Sequence, residues 1–131
     1  MNQASNPKCA VVGYGSWATA IVKTLTINHH HVDWLVLNDD IRESLETRSL
    51  NSKYLPWCYI DHEFFTASAD INEVVRDADI VILAMPSAFL KKFLEPLTVS
   101  LADKIVVSAV KGIIPGDYLT IVEHMNRYHN V

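Results

Sequence analysis

Val11-Val12-Gly13-Tyr14-Gly15-Ser16-Trp17-Ala18 holds the strongest local signal in the sequence. It continues a short apolar run that begins at Cys9, and a segment with helical spacing of apolar residues follows it, which predicts a strand, a tight turn and a helix. In such a turn the first glycine permits the bend, the second lets the backbone approach a pyrophosphate, and the third small position lets the helix pack on the strand. The free N–H groups at the helix start favour an anion. The stretch predicts a dinucleotide site, and an ordinary strand-to-helix turn is the alternative.

Apolar runs alternate with helix-like segments along the rest of the chain. Strands are predicted at 9–12, 32–37, 65–67, 80–85 and 104–110, and helices at 17–27, 41–50, 70–76, after Pro86, and at 117–125. This alternation is typical of a parallel sheet, because parallel neighbours need a crossover connection that places helices on the faces. We therefore expect an α/β fold of the Rossmann type, a doubly wound and mainly parallel sheet with helices on both faces. Residues 1–131 are expected to form a single dinucleotide-binding domain.

Polar residues predict three of the helix ends. Asn28 is expected to end the first helix, because asparagine tolerates the left-handed conformation common at that position. Asp70 and Glu73 have the spacing of a capping box. Asp117 is expected to be the N-cap of the last helix.

The end of the second predicted strand carries the residues expected to meet a cofactor ribose. Asp39 lies about 20 residues beyond the third position of the glycine motif, where an acidic residue often binds the 2′-hydroxyl, and Asn38 is equally well placed. The alternative is that Asp39 or Asp40 only caps the next helix. No arginine stands at 36–40 to neutralise a 2′-phosphate, although Arg42 is one helical turn further on. NAD is therefore slightly favoured over NADP.

Two further segments follow later strands, at the sheet edge where ligands of open α/β sheets bind. Residues 84–89 contain Phe89, which is expected either to stack near the cofactor or, more commonly for such a position, to join the core. Residues 107–112 contain Lys111 beside Gly112, which permits close approach of a ligand. Lys111 is a candidate to bind a phosphate or an oxyanion as a point charge. The alternative is a solvated lysine.

Composition narrows the class of partner. The chain has 131 residues and a net charge of -4, which disfavours nucleic acid or an anionic membrane as the main partner. Its longest uncharged apolar stretch, residues 80–90, contains Pro86 and is shorter than the roughly 18 residues of a membrane span. Residues 1–6 lack a basic segment and a long apolar segment, so we expect no secretory signal.

Cysteines and histidines predict neither a disulfide framework nor a metal site. Cys9 lies in an apolar run and is expected in the core, whereas Cys58 is expected in a loop, and their spacing suits no zinc or redox pair. These cysteines predict a cytoplasmic protein. His29-His30-His31 is expected to form a polar turn from helix to strand rather than a metal site.

Together these motifs resemble the N-terminal domain of bacterial NAD(P)-dependent glycerol-3-phosphate dehydrogenases. The resemblance runs from Lys8 to about Glu123. Four segments carry it, Gly-Tyr-Gly-Ser-Trp-Ala-Thr-Ala at 13–20, Asn-Ser-Lys-Tyr-Leu-Pro at 51–56, Ala-Met-Pro-Ser at 84–87 and Val-Lys-Gly-Ile at 110–113. It implies reversible reduction of dihydroxyacetone phosphate to sn-glycerol 3-phosphate by hydride transfer with NAD(P)H, a step that feeds phospholipid synthesis.

The resemblance also implies roles for individual residues. Ser16 and Trp17 would lie on the cofactor, Phe89 near it, and Lys111 would reach both cofactor and substrate, while Tyr54 would contribute less directly. The expected cofactor-binding residues are Gly13, Tyr14, Gly15, Ser16, Trp17, Ala18, Asn38, Asp39, Tyr54, Pro86, Phe89 and Lys111.

Two departures from the family pattern bear on these expectations. Many bacterial members have glycine in place of Ala18, and many have arginine in place of Leu37, so the case for NADP weakens. Family members continue into an all-helical domain that supplies the catalytic lysine base and most of the phosphate pocket. We therefore expect this chain to be the cofactor domain alone, inactive in isolation, of a parent enzyme that forms a homodimer.

Two other functions stay open at this point. One is the cofactor domain of another β-hydroxyacid-type dehydrogenase, and the other is an NAD(H)-sensing module without catalytic activity. Lys111-Gly112 and the Tyr-Leu-Pro segment favour the glycerol phosphate enzyme, because a sensor does not need a lysine directed towards a substrate.

Overall fold

The computed structural model of the chain describes residues 6–131, which contain a sheet of five strands. The strands are β1 (Cys9–Val12), β2 (Val32–Leu35), β3 (Phe65–Ser68), β4 (Ile80–Leu83) and β5 (Ile105–Ser108). They lie in the order β3-β2-β1-β4-β5, and each neighbouring pair is parallel. The strand order reverses between β1 and β4, and ligands of open α/β sheets bind outside the carboxyl ends of the strands at such a reversal. The expected doubly wound parallel sheet of the Rossmann type is confirmed.

Helices cover both faces of this sheet. They are α1 (Ser16–Ile27), α2 (Asp39–Arg48), α3 (Ile71–Val75), α4 (Leu90–Leu94) and α5 (Ile121–His129), with 3-10 turns at His62–Phe64 and Ser87–Phe89. Residues of α1 and α2 share a buried cluster with Val11 on one face, whereas residues of α3, α4 and α5 share another with Ala10 and Val12. Successive residues of a strand point to opposite faces, and all four residues of β1 are buried, so this central strand requires a continuous apolar run.

Most element bounds lie close to the expected ones. β2, β4 and β5 each end two residues earlier than predicted. After each of these strand ends, the backbone N–H of the next residue still donates a hydrogen bond across the sheet. That of Ala84, for example, donates to the carbonyl of Val12 over 2.9 Å. The chain then turns into the loops at the carboxyl edge of the sheet. Helix α2 is shifted two residues towards the amino terminus, and it ends because Ser49 takes a left-handed conformation with φ 58°.

Asn28 ends α1 as expected, but the left-handed conformation predicted for it is wrong. Asn28 has φ -88°, and the next residue, His29, has φ 62°. The Asn28 side chain donates instead to the carbonyl of Thr24 over 2.8 Å, which satisfies one of the free carbonyls at the end of α1. The histidines at 29–31 lie in the turn between α1 and β2, so the predicted polar turn is confirmed.

Asp70 caps α3 as expected, but the predicted capping box with Glu73 is wrong. The Asp70 carboxylate accepts from the N–H of Asn72 over 2.9 Å. The partner of Glu73 is the Ser68 hydroxyl, which donates to it over 3.1 Å and also accepts the N–H of Asp70. Because β3 ends only two residues before the cap, Ser68 is close enough to take the place of the missing half of the box.

Asp117 is not the N-cap of the last helix, contrary to expectation. Thr120 caps α5 and forms a capping box with Glu123. A bridge between Ile113 and Thr120 closes the preceding segment into a loop, so the chain can enter the helix only after Thr120. Asp117 lies within that loop and pairs with Lys91 of α4 over 2.7 Å.

Cys9 is buried in β1 and Cys58 lies in the loop before residue 62, as predicted. Among residues 6–131, none of the helices combines the length and apolar character that a bilayer crossing requires. The expectation of no secretory signal rests on residues 1–6, of which residues 1–5 lie outside the described part of the chain.

Candidate functional site

Gly13 brings the turn after β1 into direct contact with the loop after β4. It has φ 129°, a conformation that residues with a side chain rarely adopt, and an added Cβ would overlap the carbonyl oxygen of Ala84. The indole N–H of Trp34, a fully buried residue of β2, donates to the carbonyl oxygen of Gly13 over 2.6 Å. The turn is therefore fixed from both neighbouring strands at the point where the strand order reverses.

Gly15 leaves an open space at the start of α1. A Cβ added there would meet no heavy atom of the described residues within 4 Å, in contrast to one added at Gly13. Gly15 is the N-cap, no side chain of residues 6–131 caps this helix, and its first turn holds no acidic residue. The first N–H groups of α1 are thus available to an anion, and the open space lets a pyrophosphate approach the backbone. The residues present fit a dinucleotide.

Ala18 packs helix on strand, as expected of the third small position. It is fully buried in the same cluster as Val11 and Val22. The methyl group of Ala18 therefore belongs to the core and takes no room from the crevice.

Asn51 is a site residue that the sequence analysis missed. Its buried amide nitrogen donates to the carbonyl of Tyr14 over 2.9 Å and to the hydroxyl of Thr19 over 3.0 Å. Its amide oxygen accepts from the N–H groups of Lys53 and Tyr54. One side chain thus ties the segment 51–56 to the glycine turn. The available signal was its place at the start of a segment that carries the family resemblance.

Tyr14 and Tyr54 are both partly buried and pack against the cluster of α1 and α2. Tyr14 is partly buried and stacks on Phe93 of α4, with ring centroids 6.0 Å apart. Tyr54 packs against the cluster of α1 and α2, and its ring lies 5.3 Å from the ammonium nitrogen of Lys53. Both tyrosines therefore link the glycine turn to neighbouring elements.

Asn38, not an aspartate, caps α2. Its side-chain oxygen accepts from the N–H of Ile41 over 3.0 Å, so the alternative that Asp39 or Asp40 is the cap is wrong. Both aspartates lie in the first helical turn, where a negative charge interacts favourably with the positive end of the helix dipole. Asp39 also forms an ion pair with Arg42 over 2.6 Å.

Phe89 and Trp17 present apolar surface near the sheet's carboxyl edge. Phe89 is 49% exposed in the turn Ser87–Phe89, so the interpretation that it belongs to the core is wrong. Trp17, in the first turn of α1, is also exposed. Pro86 precedes the same 3-10 turn and is exposed as well.

Lys111 is exposed in the loop that follows β5, and its side chain forms no ion pair or hydrogen bond with any residue of 6–131. Gly112 has φ 85°, and a Cβ there would lie 3.9 Å from the hydroxyl of Ser87. The structure therefore places the loop of Lys111 beside the loop after β4, which in turn contacts Gly13. Asp39 is the first residue of α2, which follows β2, the strand on the other side of β1 from β4.

An ionic cluster anchors the loop that carries Lys111. Asp117 pairs with Lys91 over 2.7 Å and lies 3.5 Å from Nδ1 of the buried His124. The hydrogen bond from Lys91 lowers the pKa of Asp117 below its ordinary value. Burial lowers the pKa of His124, and the nearby Asp117 opposes that shift. The cluster joins α4, the loop and α5 at neutral pH.

Comparison with known families gives this geometry a context. The family model described as the N-terminus of NAD-dependent glycerol-3-phosphate dehydrogenase matches residues 8–130. The chain belongs to this family. It is thus the cofactor domain of an NAD(P)-dependent family, and the match favours this assignment over the two alternatives left open by the sequence.

Relatives named glycerol-3-phosphate dehydrogenase [NAD(P)+] agree with the assignment. The protein of Halalkalibacterium halodurans is 33% identical over 115 residues, which are 87% of this chain and 33% of the relative. That of Halothermothrix orenii is 33% identical over 130 residues, or 94% of this chain and 36% of the relative. The chain therefore spans about a third of the length of these relatives.

Solved structures show the same fold. The glycerol-3-phosphate dehydrogenase of Saccharomyces cerevisiae superimposes with a TM-score of 0.83 at 24% identity, over 97% of this chain and 40% of that one. The enzyme of Coxiella burnetii gives a TM-score of 0.82 at 20% identity, over 95% of this chain and 38% of that one.

Proposed function

We propose that this chain binds NAD(H) or NADP(H) as the cofactor domain of an enzyme that interconverts dihydroxyacetone phosphate and sn-glycerol 3-phosphate. The contrast between two glycines carries the proposal. Gly13 is closed against Ala84, whereas Gly15 is open at an uncapped helix start within residues 6–131, as a bound pyrophosphate requires. Membership of the family supplies the substrate pair.

Each part of the crevice has a task in this proposal. The N–H groups of Ser16, Trp17 and Ala18 hold the pyrophosphate, and the side chains of Asn38 and Asp39 face the adenosine ribose. Pro86 and Phe89, with Trp17, cover the cofactor with apolar surface and exclude water. Tyr14 and Tyr54 pack against the cluster of α1 and α2 and help to hold the glycine turn in place.

Lys111 is the residue proposed to reach the substrate. When bound, the reduced nicotinamide supplies the hydride that the ketone carbon accepts. The ammonium group of Lys111 attracts the anionic substrate and orients it. We assign the proton donor to the all-helical domain that the family resemblance implies for the parent enzyme. Relatives are about three times as long as this chain, which leaves room for such a domain.

The finer choice of cofactor is NAD, by a small margin. Residues 36–40 contain no arginine, and the nearest guanidinium, that of Arg42, is already bonded to Asp39.

A cytoplasmic location is supported by the free thiols of Cys9 and Cys58. Competitive titration tests the cofactor and cell fractionation tests the location. We expect the parent enzyme to form a homodimer, and light scattering tests this expectation.

Titration calorimetry with NADH tests the proposed site directly. Gly15→Val places a branched side chain in the open space and should weaken binding at least about tenfold, since lost backbone contacts to an anion are charge-assisted. Ala102→Val is the control, because it creates the same branched side chain in an exposed turn before β5, at the opposite edge of the sheet. Equal affinities of the two variants, with thermal unfolding showing both to be folded, would contradict the placement.

A further inference from the structure

Strand β5 forms one edge of the sheet and exposes apolar side chains to solvent. In the described part of the chain it pairs with β4 on one side and with no strand on the other. Ile105 is 64% exposed and Val107 is 43% exposed. Val107 lies beside Ile82 of β4, which lies beside Val11, so it points to the face of the sheet that α1 and α2 cover elsewhere. An exposed apolar strand at a sheet edge is a template for pairing with another chain.

The opposite edge, strand β3, does not present such a surface. Phe65 is buried, and the next residue, Thr66, is exposed but polar, with its hydroxyl 3.1 Å from Nε2 of His31. Ala67 and Ser68 are half-buried. Of the two sheet edges in residues 6–131, β5 is therefore the one that is both apolar and open. Pairing of that edge with its own copy gives a closed dimer rather than a filament.

We propose that β5 is a self-association surface, on which two copies of this chain pair their β5 strands antiparallel around a two-fold axis. The axis passes beside Val107, so that Val107 of one copy lies next to Val107 of the other. The sheet then continues from one copy into the next, and each open edge is covered by an identical one. This inference does not rest on the proposed function, because it uses neither the glycine turn nor a cofactor.

Backbone hydrogen bonds support an axis at Val107. The N–H of Ile105 donates towards β4, to the carbonyl of Asp79, and the N–H of Ala109 also donates to that side of the strand. Backbone groups alternate between the two sides of a strand, so those of Val106 and Ser108 point to the open edge. With the axis at Val107, Val106 of each copy faces Ser108 of the other, and each such pair can exchange N–H···O=C bonds in both directions.

An axis at Val106 would fit less well. It would set Lys104 of each copy against Ser108 of the other, as a hydrogen-bonded pair. The N–H of Lys104, however, already donates to the carbonyl of Leu101 over 3.1 Å. Its ammonium group is also in use, since it donates to the carbonyl of Ala78 over 2.8 Å. This register would therefore lose backbone bonds that the register with Val107 on the axis keeps.

Charged residues flank β5 in a complementary order. Asp103 lies before the strand and Lys111 after it, and both are exposed. Neither side chain has an ionic partner among residues 6–131. The two positions are equally far from Val107 in sequence, so Asp103 of each copy falls opposite Lys111 of the other. Opposite charges in facing positions of paired strands attract, whereas like charges repel. The pairing also occupies Lys111, which is free to meet a substrate in the single chain.

Analytical ultracentrifugation of this chain tests the surface. Strands this short bury little area and small interfaces are weak, so we expect the average mass to rise towards that of two chains between about 10 µM and about 1 mM. Val107→Lys brings two ammonium groups together at the axis and should abolish the rise. Ile27→Lys is the matched control, because it adds the same charge at a position on α1 that is 60% exposed. It should associate as wild type does.

Exchange of the flanking charges tests the register. Asp103→Lys sets like charges against each other at both ends of the paired strands, as does Lys111→Asp. Each variant should weaken association about fivefold or more. Asp103→Lys combined with Lys111→Asp restores both ion pairs with their signs reversed, so its dissociation constant should return to within about twofold of that of wild type.

Three results would overturn the inference. The first is a wild-type chain that keeps the mass of one chain up to about 1 mM. The second is association that Val107→Lys and Ile27→Lys change equally, and the third is a double charge variant as weak as the single ones. Thermal unfolding checks that each variant is folded, and the charge exchange still decides the matter if Val107→Lys is not. Because no cofactor is present, the outcome is independent of the proposed function.

Discussion

The indole N–H of Trp34 donates a hydrogen bond to the carbonyl oxygen of Gly13 across neighbouring strands, over 2.6 Å. Trp34 is fully buried, and its ring meets that of Phe65 edge to face with centroids 5.7 Å apart. A residue of the core thus fixes the backbone of the proposed pyrophosphate turn. The position of the turn depends on packing beneath it as well as on its own glycines.

Trp34→Phe should destabilise the chain by about 2–4 kcal/mol, because it leaves a buried carbonyl without a donor and opens a cavity. Urea unfolding measures this loss. Trp57→Phe is the matched control, since Trp57 is 81% exposed and its replacement should change stability by about 0.5 kcal/mol or less. Similar losses in the two variants would mean that the contact with Gly13 contributes nothing measurable.

Asn51→Ala should both destabilise the chain and weaken cofactor binding. It removes the amide that joins Tyr14 and Thr19 to the segment of Lys53 and Tyr54, and it leaves the part-buried carbonyl of Tyr14 and N–H of Tyr54 without this partner. A loss of about 2–4 kcal/mol is expected in urea unfolding, since each unpaired group costs about 1–3 kcal/mol and some regain water. The neighbouring exposed residue Ser52 supplies the control: Ser52→Ala should leave both stability and NADH affinity unchanged.

Sequence patterns were sufficient for the sheet and for the glycine turn. The run Cys9–Val12 predicted a strand covered on both faces because burial on both sides demands apolar residues throughout. Gly13, Gly15 and Ala18 each fill the structural role that their spacing predicted, because the bend, the open approach and the helix packing are local requirements.

Contacts between distant parts of the chain were not predictable in this way. Trp34 and Gly13 are 21 residues apart, and Asn51 and Tyr14 are 37 apart, so no local pattern pairs them. Asp117 has the composition of a helix cap, but the bridge between Ile113 and Thr120 moves the helix start beyond it. Local propensity decides such an end only where tertiary contacts leave it free.

Stability should fall as pH is lowered from about 7 to about 5.5, and His124 should be a main cause. Burial lowers the pKa of His124 below the ordinary value of 6.5, and burial likewise lowers that of His129. The unfolded chain therefore binds protons at a higher pH than the folded chain, so the stabilisation is complete above the ordinary pKa and is lost as pH falls towards the folded one.

Urea unfolding at several pH values checks this dependence on His124. His124→Gln should flatten the fall between about pH 7 and 5.5, whereas His31→Gln controls for the loss of a histidine at a half-exposed site. An unchanged slope in His124→Gln would exclude this residue as the cause. A further fall below about pH 4 is expected in either variant, because the lowered pKa of Asp117 makes its stabilisation depend on the ionised carboxylate.

The 131-residue chain should reduce dihydroxyacetone phosphate far more slowly than a full-length relative does. Hydride transfer needs a ketone held against the nicotinamide with a proton donor in place, and positioning together with acid catalysis contributes many powers of ten to the rate. In the described residues Lys111 is the proposed substrate contact, and it is exposed to water, which screens its attraction for a phosphate. NADH oxidation is the measurement, with the Halothermothrix orenii relative as the positive control, and a kcat/KM at least about a thousandfold lower is expected. Turnover by this chain within about tenfold of the relative would place the proton donor and the phosphate site inside these 131 residues, because losing both should cost far more than tenfold.

In that event Lys111→Ala, compared with Lys92→Ala on the exposed side of α4, would show whether Lys111 belongs to that site.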